Sequence, residues 1–83
     1  MKVFGCKMAC GYAGGLILVA ANDVKEAYLT ASKDSDCCWN FYDTDNDSGL
    51  PRCDYYPFEK WHEFEELSCK CTEPKVIVED HYA

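Results

Sequence analysis

The 83-residue chain lacks several features that would assign it to a class of protein. It has no apolar run of about 18 residues, which excludes a transmembrane helix. It has no catalytic signature, no internal repeat and no low-complexity linker, so we expect a single domain over residues 1–83 with no enzymatic activity. Positive charge is scarce, with 8 Lys and Arg against 15 Asp and Glu. Because an acidic chain repels phosphate backbones, we expect no direct nucleic-acid partner, and no membrane partner either.

What the chain does have is acidic charge and aromatic rings, concentrated in residues 34–66. This stretch holds ten carboxylates against Arg52 and Lys60, together with eight of the twelve aromatic residues. Carboxylates around Tyr and Trp rings favour an interface with aromatic anchors, whose charge steers it towards a basic groove. The residues predicted to contact such a partner are Asp43, Asp45, Asp47, Asp54, Tyr55, Tyr56, Glu59, Glu63, Glu65 and Glu66.

Some of these rings must serve the fold, because a domain this small needs large side chains in its core. We expect Trp39, Phe41 and Trp61 inside, which leaves the turn at residues 43–49 and the face formed by residues 59–66 for a partner. The alternative is that the rings are all core and the acids only keep the protein soluble.

Hydrophobic periodicity predicts the first half of the fold. Apolar segments at residues 2–6 and 16–21, separated by glycines, indicate a β-hairpin. Apolar residues at helical spacing then predict a helix over residues 23–33, with Asn22 as its N-cap. They are Val24, Ala27, Tyr28 and Ala31.

The second half is less regular. Alternation at residues 67–71 and an apolar segment at residues 75–82 indicate a second hairpin. The prediction is therefore an α+β fold: a small antiparallel sheet of four or five strands in two hairpins, with one helix packed on one face. An acidic aromatic insertion is expected between the hairpins.

Seven cysteines are many for this length, and the cellular compartment decides their state. They are Cys6, Cys10, Cys37, Cys38, Cys53, Cys69 and Cys71. A secreted chain would pair them as disulfides, whereas a cytosolic chain would keep them as buried thiols or metal ligands. The N-terminal segment fits a signal peptide poorly because Lys7 interrupts the approach to its apolar run. We expect the protein to be located in the cytoplasm of a host cell, with a secreted disulfide-bonded form as the alternative.

Metal and catalytic sites have partial signals only. Residues 43–49 resemble part of a calcium loop, but Gly49 comes one place late and Asp54 stands where Glu is usual. The cysteines and His62 lack the paired CxxC spacing of a zinc site. A Cys–His pair or the glutamates around Trp61 would need a catalytic cleft, and 83 residues offer little room for one. We therefore predict no metal ion and no cofactor.

Two segments carry a resemblance to a known group of proteins. Residues 14–23 with Glu26 and Ala27, and residues 73–82, resemble parts of short orphan proteins encoded by bacteriophages and by mobile elements of gut bacteria. That group includes anti-CRISPR and other counter-defence inhibitors, which often occupy the nucleic-acid groove of a host effector. The resemblance implies a phage-type inhibitor that blocks a basic site of a host defence protein. It implies no roles for individual residues.

A second function from another class stays open. The chain would then be a small structural module stabilised by a metal ion or by disulfides, with an acidic surface that only maintains solubility.

Overall fold

The computed structural model describes residues 1–8, 15–35, 38 and 41–81, with the backbone alone for residues 79–81. One antiparallel sheet contains four strands in the order β3-β1-β2-β4. Helix α1 (Val24–Lys33) packs on one face of this sheet. The predicted α+β class, with one helix on a small antiparallel sheet, is confirmed. The strands are β1 (Lys2–Lys7), β2 (Gly15–Ala21), β3 (His62–Ser68) and β4 (Lys75–His81).

The predicted first hairpin forms the centre of the sheet. Strands β1 and β2 pair with Lys2 opposite Ala21 and Lys7 opposite Leu16. Strand β2 is buried along most of its length, as its continuous aliphatic run predicts for a central strand. Gly5 permits a close approach here, because a Cβ atom at this position would lie 2.1 Å from the carbonyl oxygen of Ile17.

The predicted second hairpin is wrong. Strand β3 pairs with β1, and β4 pairs with β2, so the two strands lie at opposite edges of the sheet. Strand β3 also begins at His62 and ends at Ser68, earlier than the alternation at residues 67–71 suggests. The connection from β3 to β4 therefore passes the N-terminal end of β1. There the Cys69 N–H donates to the Met1 carbonyl at 3.0 Å.

Helix α1 buries the face that the sequence periodicity predicts. Ala27, Tyr28 and Ala31 are buried, and they pack with side chains from one face of the central hairpin. Those hairpin residues are Phe4, Cys6, Ile17, Val19 and Ala21. The N-cap is Asp23, one residue after the predicted Asn22. Its side chain accepts the Glu26 N–H at 2.7 Å, which satisfies one of the free donors of the first turn.

The other face of the sheet carries no described helix. Val3, Leu18 and Ala20 alternate with the helix-facing residues and are nevertheless buried. Val78 of the edge strand β4 lies opposite Leu18 and is 40% exposed. Of the described helices, none has the length and apolarity that a membrane crossing needs.

The predicted acidic aromatic insertion is not shown, because described residues of the stretch between α1 and β3 contribute to the core. Cys53, Tyr56 and Trp61 are buried in the same cluster as the helix and the hairpin. Phe41 packs against that cluster, as predicted, and so does Phe58. Trp39 lies outside the described residues. After Pro57 the chain makes one turn of 3-10 helix, Phe58–Lys60.

Candidate binding surface

The acidic turn at residues 43–49 is held in a loop that closes on itself. Tyr42 and Arg52 form an antiparallel bridge, with N–H to O distances of 3.0 and 2.7 Å. Inside it, the Asp45 N–H donates to the Leu50 carbonyl at 3.0 Å. Asp43 and Gly49 adopt positive φ angles of 44° and 73°, which short polar residues and glycine tolerate. The loop therefore has a defined shape although its side chains are exposed.

Asp45 organises the tip of this loop. One carboxylate oxygen accepts the Asp47 N–H at 3.2 Å, and the other accepts the Ser48 hydroxyl at 2.9 Å. These two hydrogen bonds lower the pKa of Asp45 because they favour the ionised form, and the bond from the Asp47 backbone has the larger effect. The segment that resembles a calcium loop is thus an Asx-type turn that uses its own central carboxylate. Among the residues that the structure describes, no group of three or more His, Cys, Asp or Glu side chains is placed to hold a metal ion.

Tyr28 of α1 anchors this loop to the core. Its hydroxyl donates to the Pro51 carbonyl at 2.6 Å, one residue before the Tyr42–Arg52 bridge. Its ring makes edge-to-face contacts with Phe41, Phe58 and Trp61 at centroid distances of 5.0 to 5.4 Å. Such contacts add to the burial of each ring, so the aromatic residues of the stretch mainly fasten the acidic segment to the helix.

The prediction that Tyr56 contacts a partner is wrong, because this ring also serves the core. Its side chain is 0% exposed, so it cannot contact a partner. Its backbone carbonyl accepts the Trp61 indole N–H at 2.7 Å, and its N–H donates to the Cys53 sulfur at 3.3 Å. Tyr56 therefore belongs to the core. Tyr55, the other predicted tyrosine, is half-buried.

An open cleft lies beside the anchored loop. It has a volume of about 670 Å³, and Tyr42, Arg52, Asp54 and Glu59 are among its lining residues. The Tyr42 hydroxyl donates to Asp54 at 2.6 Å, and this hydrogen bond is the main cause that raises the pKa of Tyr42. Tyr42 is 41% exposed, which makes it an aromatic ring of the stretch that a partner can reach.

A second cleft of about 530 Å³ lies on the loop itself, lined by Asp43, Asp45, Ser48, Leu50 and Arg52. Arg52 lines both clefts and so stands between two groups of carboxylates. Four of the predicted acids thus line these two clefts, Asp54 and Glu59 in the first and Asp43 and Asp45 in the second, and Arg52 lines both. Sequence reasoning missed Tyr42 and Arg52 as parts of this surface. Their signal was their position on either side of the acidic turn.

The remaining predicted acids form a separate group on strand β3. Glu63 lies opposite Phe4 and is half-buried, whereas Glu65 and Glu66 are exposed. None of these three glutamates lines either of the two clefts. Beside them, the rings of His62 and Phe64 stack at a centroid distance of 4.6 Å. The predicted contact residues therefore divide into a group on the loop and a group on the edge strand.

Comparison with protein-family models, curated proteins and solved structures gives no match to this chain. Its function is therefore inferred from the residues of the surface.

Proposed function

We propose that the protein is a phage-type inhibitor whose acidic surface acts by binding and not by catalysis: it occupies a basic, nucleic-acid-binding site of a host defence protein. The observation that supports this best is the group of exposed carboxylates on the anchored loop. Asp43, Asp47 and Asp54 project from a segment whose backbone is tied to itself and to α1. Carboxylates held in this way can occupy positions that phosphates take in a site rich in Arg and Lys.

The fixed shape of the loop matters for affinity. A flexible acidic segment would lose conformational freedom on binding, at a cost of about 0.5–1.5 kcal/mol for each side chain that becomes ordered. The Tyr42–Arg52 bridge, the Asp45 turn and the Tyr28–Pro51 hydrogen bond already restrict the backbone. The backbone of the loop is therefore ordered before binding, and only the carboxylate side chains become ordered in the basic groove.

The exposed ring of Tyr42 supplies an apolar contact within the charged surface. An Arg side chain of the partner can stack on this ring while it pairs with Asp54, which accepts the Tyr42 hydroxyl. Arg52 beside it limits the surface to partners whose own cations leave room for a guanidinium group. Charge and shape together favour a protein groove over a simple polycation.

The test is a capture experiment from a bacterial lysate with immobilised protein, followed by elution with salt or with a DNA oligonucleotide. We expect the captured protein to be a nucleic-acid-binding protein that either treatment releases, because added salt screens exposed charges and DNA competes for the same site. A nuclease or DNA-binding assay on the captured protein then measures inhibition.

The informative variant replaces Asp43, Asp47 and Asp54 with Asn. Asn keeps the positive φ at position 43 and an acceptor for the Tyr42 hydroxyl at position 54, so the loop keeps its shape. We expect the variant to lose capture and inhibition. The matched control removes three carboxylates outside the stretch, as E73Q/E79Q/D80N, and should retain both. The proposal is contradicted if added salt does not weaken binding, or if the triple Asn variant and the control variant weaken binding equally.

The structural-module alternative has one observation in its favour, the disulfide between Cys69 and Cys71. Its two cysteines are only two residues apart, so it constrains the unfolded chain much less than a disulfide that closes a long loop. Native mass spectrometry with and without reductant and chelator separates the two functions. A bound metal, or unfolding on reduction, would favour the structural module.

A further inference from the structure

A disulfide lies in the connection between strands β3 and β4. Cys69 and Cys71 are bonded across Lys70, with their Cα atoms 5.3 Å apart. Both cysteines are half-buried, and Lys70 is exposed. The bond therefore lies in a segment that the rest of the protein covers only in part.

The bond joins no two elements of the fold, because both cysteines belong to the same connection. The chain has other thiols that a structural disulfide would use to better effect. Cys6 and Cys53 belong to one core cluster, come from distant parts of the sequence and are both free thiols. A chain that leaves its core thiols reduced and bonds a neighbouring pair at its surface has the features of a redox site.

The two sulfur atoms have different surroundings. Cys69 exchanges two backbone hydrogen bonds with Met1: the Cys69 N–H donates to Met1 at 3.0 Å, and the Met1 nitrogen donates to the Cys69 carbonyl at 2.5 Å. The Cys71 N–H in turn donates to the Cys69 sulfur at 3.4 Å. A negative charge on the Cys69 sulfur is therefore supported by a donor that already points at it.

We propose that Cys69–Lys70–Cys71 is a thiol–disulfide exchange site that oxidises protein or peptide dithiols. The thiolate of the substrate attacks the Cys71 sulfur, forming a mixed disulfide, and the Cys69–Cys71 bond breaks with its electron pair on Cys69. Cys69 leaves as the thiolate because it keeps its backbone anchor and receives the Cys71 N–H. A leaving thiolate that is stabilised departs faster.

The second step completes a two-electron transfer. The other thiolate of the substrate attacks the substrate sulfur of the mixed disulfide, forms the substrate disulfide and releases Cys71 as a thiolate. The two protons lost by the substrate thiols end on Cys69 and Cys71. Glutathione disulfide restores the bond by the same chemistry in reverse, with Cys71 as the attacking thiolate and Cys69 as the resolving one, and yields two molecules of glutathione.

The experiment uses the full chain and a synthetic peptide with two cysteines. Oxidation of the peptide is followed by alkylation and mass spectrometry, with glutathione disulfide as the terminal oxidant. We expect the protein to accelerate peptide oxidation about tenfold over buffer with glutathione disulfide alone, because the donor to the Cys69 sulfur makes Cys69 a better leaving thiolate than glutathione. The variants C69S and C71S should both return the rate to that background. The control C38S removes an exposed thiol elsewhere and should leave the rate unchanged.

A second readout detects the mixed disulfide. Reduced C69S, exposed to glutathione disulfide, should accumulate glutathione on Cys71, because no Cys69 thiol is present to resolve it. Reduced C71S should gain glutathione on Cys69 for the same reason, because no Cys71 thiol is present to resolve it. Circular dichroism confirms that each variant is folded. The proposal is overturned if the variants oxidise the peptide as fast as the wild-type protein, or if neither reduced variant accumulates glutathione on its remaining cysteine of the pair.

Discussion

Gly5 lies on β1 opposite Leu18 of β2 and His62 of β3. A Cβ atom there would lie 2.1 Å from the Ile17 carbonyl oxygen and 2.9 Å from a methyl carbon of Leu18, so the strands would have to separate. We expect G5A to lower the free energy of unfolding by about 2–3 kcal/mol, the upper range for an overpacked site. Urea unfolding monitored by tryptophan fluorescence measures this change.

Gly49 supplies the control, because its backbone angle, and not the space around it, favours glycine at this position. It has a φ of 73°, and a Cβ atom there would meet nothing within 4 Å. G49A should cost only about 1 kcal/mol, the price of a left-handed backbone with a side chain, and G49N less still. If G5A costs no more than G49A, the close approach of β1 and β2 is wrong.

Tyr28 connects the core to the acidic loop through one hydroxyl group. Y28F keeps the ring and its edge-to-face contacts but leaves the Pro51 carbonyl without this donor. We expect a loss of about 1–2 kcal/mol in the free energy of unfolding, because a partly buried acceptor is left unsatisfied. Urea unfolding measures it.

The matched control is Y42F, which removes a hydroxyl that bonds Asp54 at an exposed site. Its expected cost is below about 0.5 kcal/mol, since water replaces the lost partner. Equal losses for Y28F and Y42F would show that the Tyr28 hydroxyl does not anchor the loop.

Helix α1 begins with two hydrogen bonds that involve Glu26. The Asp23 side chain accepts the Glu26 N–H at 2.7 Å, and the Glu26 side chain accepts the Asn22 N–H at 2.8 Å. D23A should therefore cost about 1 kcal/mol, whereas N22A, which keeps the backbone donor, should cost less than about 0.5 kcal/mol. Urea unfolding and the helical circular dichroism signal measure both. A larger cost for N22A would restore Asn22 as the cap.

The helix was predictable because the apolar residues at positions 24–31 recur with a period of 3.6. The first hairpin was predictable because β2 is a continuous aliphatic run. The exact cap was predictable too: Glu26 stands three residues after Asp23, which is the spacing of a capping box. Strand β3 was harder. It is an edge strand in which acidic residues occupy several of seven positions, and charge on an edge is how sheets avoid further pairing.

Pairing between distant strands had no local signal. A turn at residues 72–74 is compatible with a hairpin, yet β3 and β4 each pair with a strand of the central hairpin. The exposure of the acidic residues in the turn at residues 43–49 was predictable, because unpaired carboxylates stay in contact with water. Nothing in the spacing of Tyr55 and Tyr56 indicated which of the two rings points into the core, because their environment is set by Cys53 and Trp61.

At the scale of the whole molecule, one segment serves both the core and the surface. Residues 41–61 contribute Cys53, Tyr56 and Trp61 to the core while their carboxylates face solvent. A short chain can do this because large rings stabilise a small core, and the charged residues between them keep the outer side polar. The stability of the core and the shape of the acidic surface are thus coupled through the same backbone.

Buried groups that can lose a proton make the stability of the molecule depend on pH in the alkaline range. Burial raises the pKa of the Cys6 thiol to about 11 from 9.0, and burial also raises the pKa values of Cys53 and Tyr28. The folded protein therefore holds these protons at pH values where the unfolded chain releases them. The free energy of unfolding is expected to fall as the pH rises above 9. Cys6 alone contributes about 2–3 kcal/mol of this loss by pH 11.

Urea unfolding at a series of pH values from 7 to 11, with reductant present, measures the effect. C6A removes the thiol, so its free energy of unfolding should fall less steeply above pH 9, even though its stability at pH 7 is lower because of the small cavity. C38A removes an exposed thiol and should follow the wild-type curve. If C6A and the wild-type protein lose stability in parallel, the Cys6 thiol is not buried in the folded core. The link between the core and alkaline stability then rests on Cys53 and Tyr28 alone.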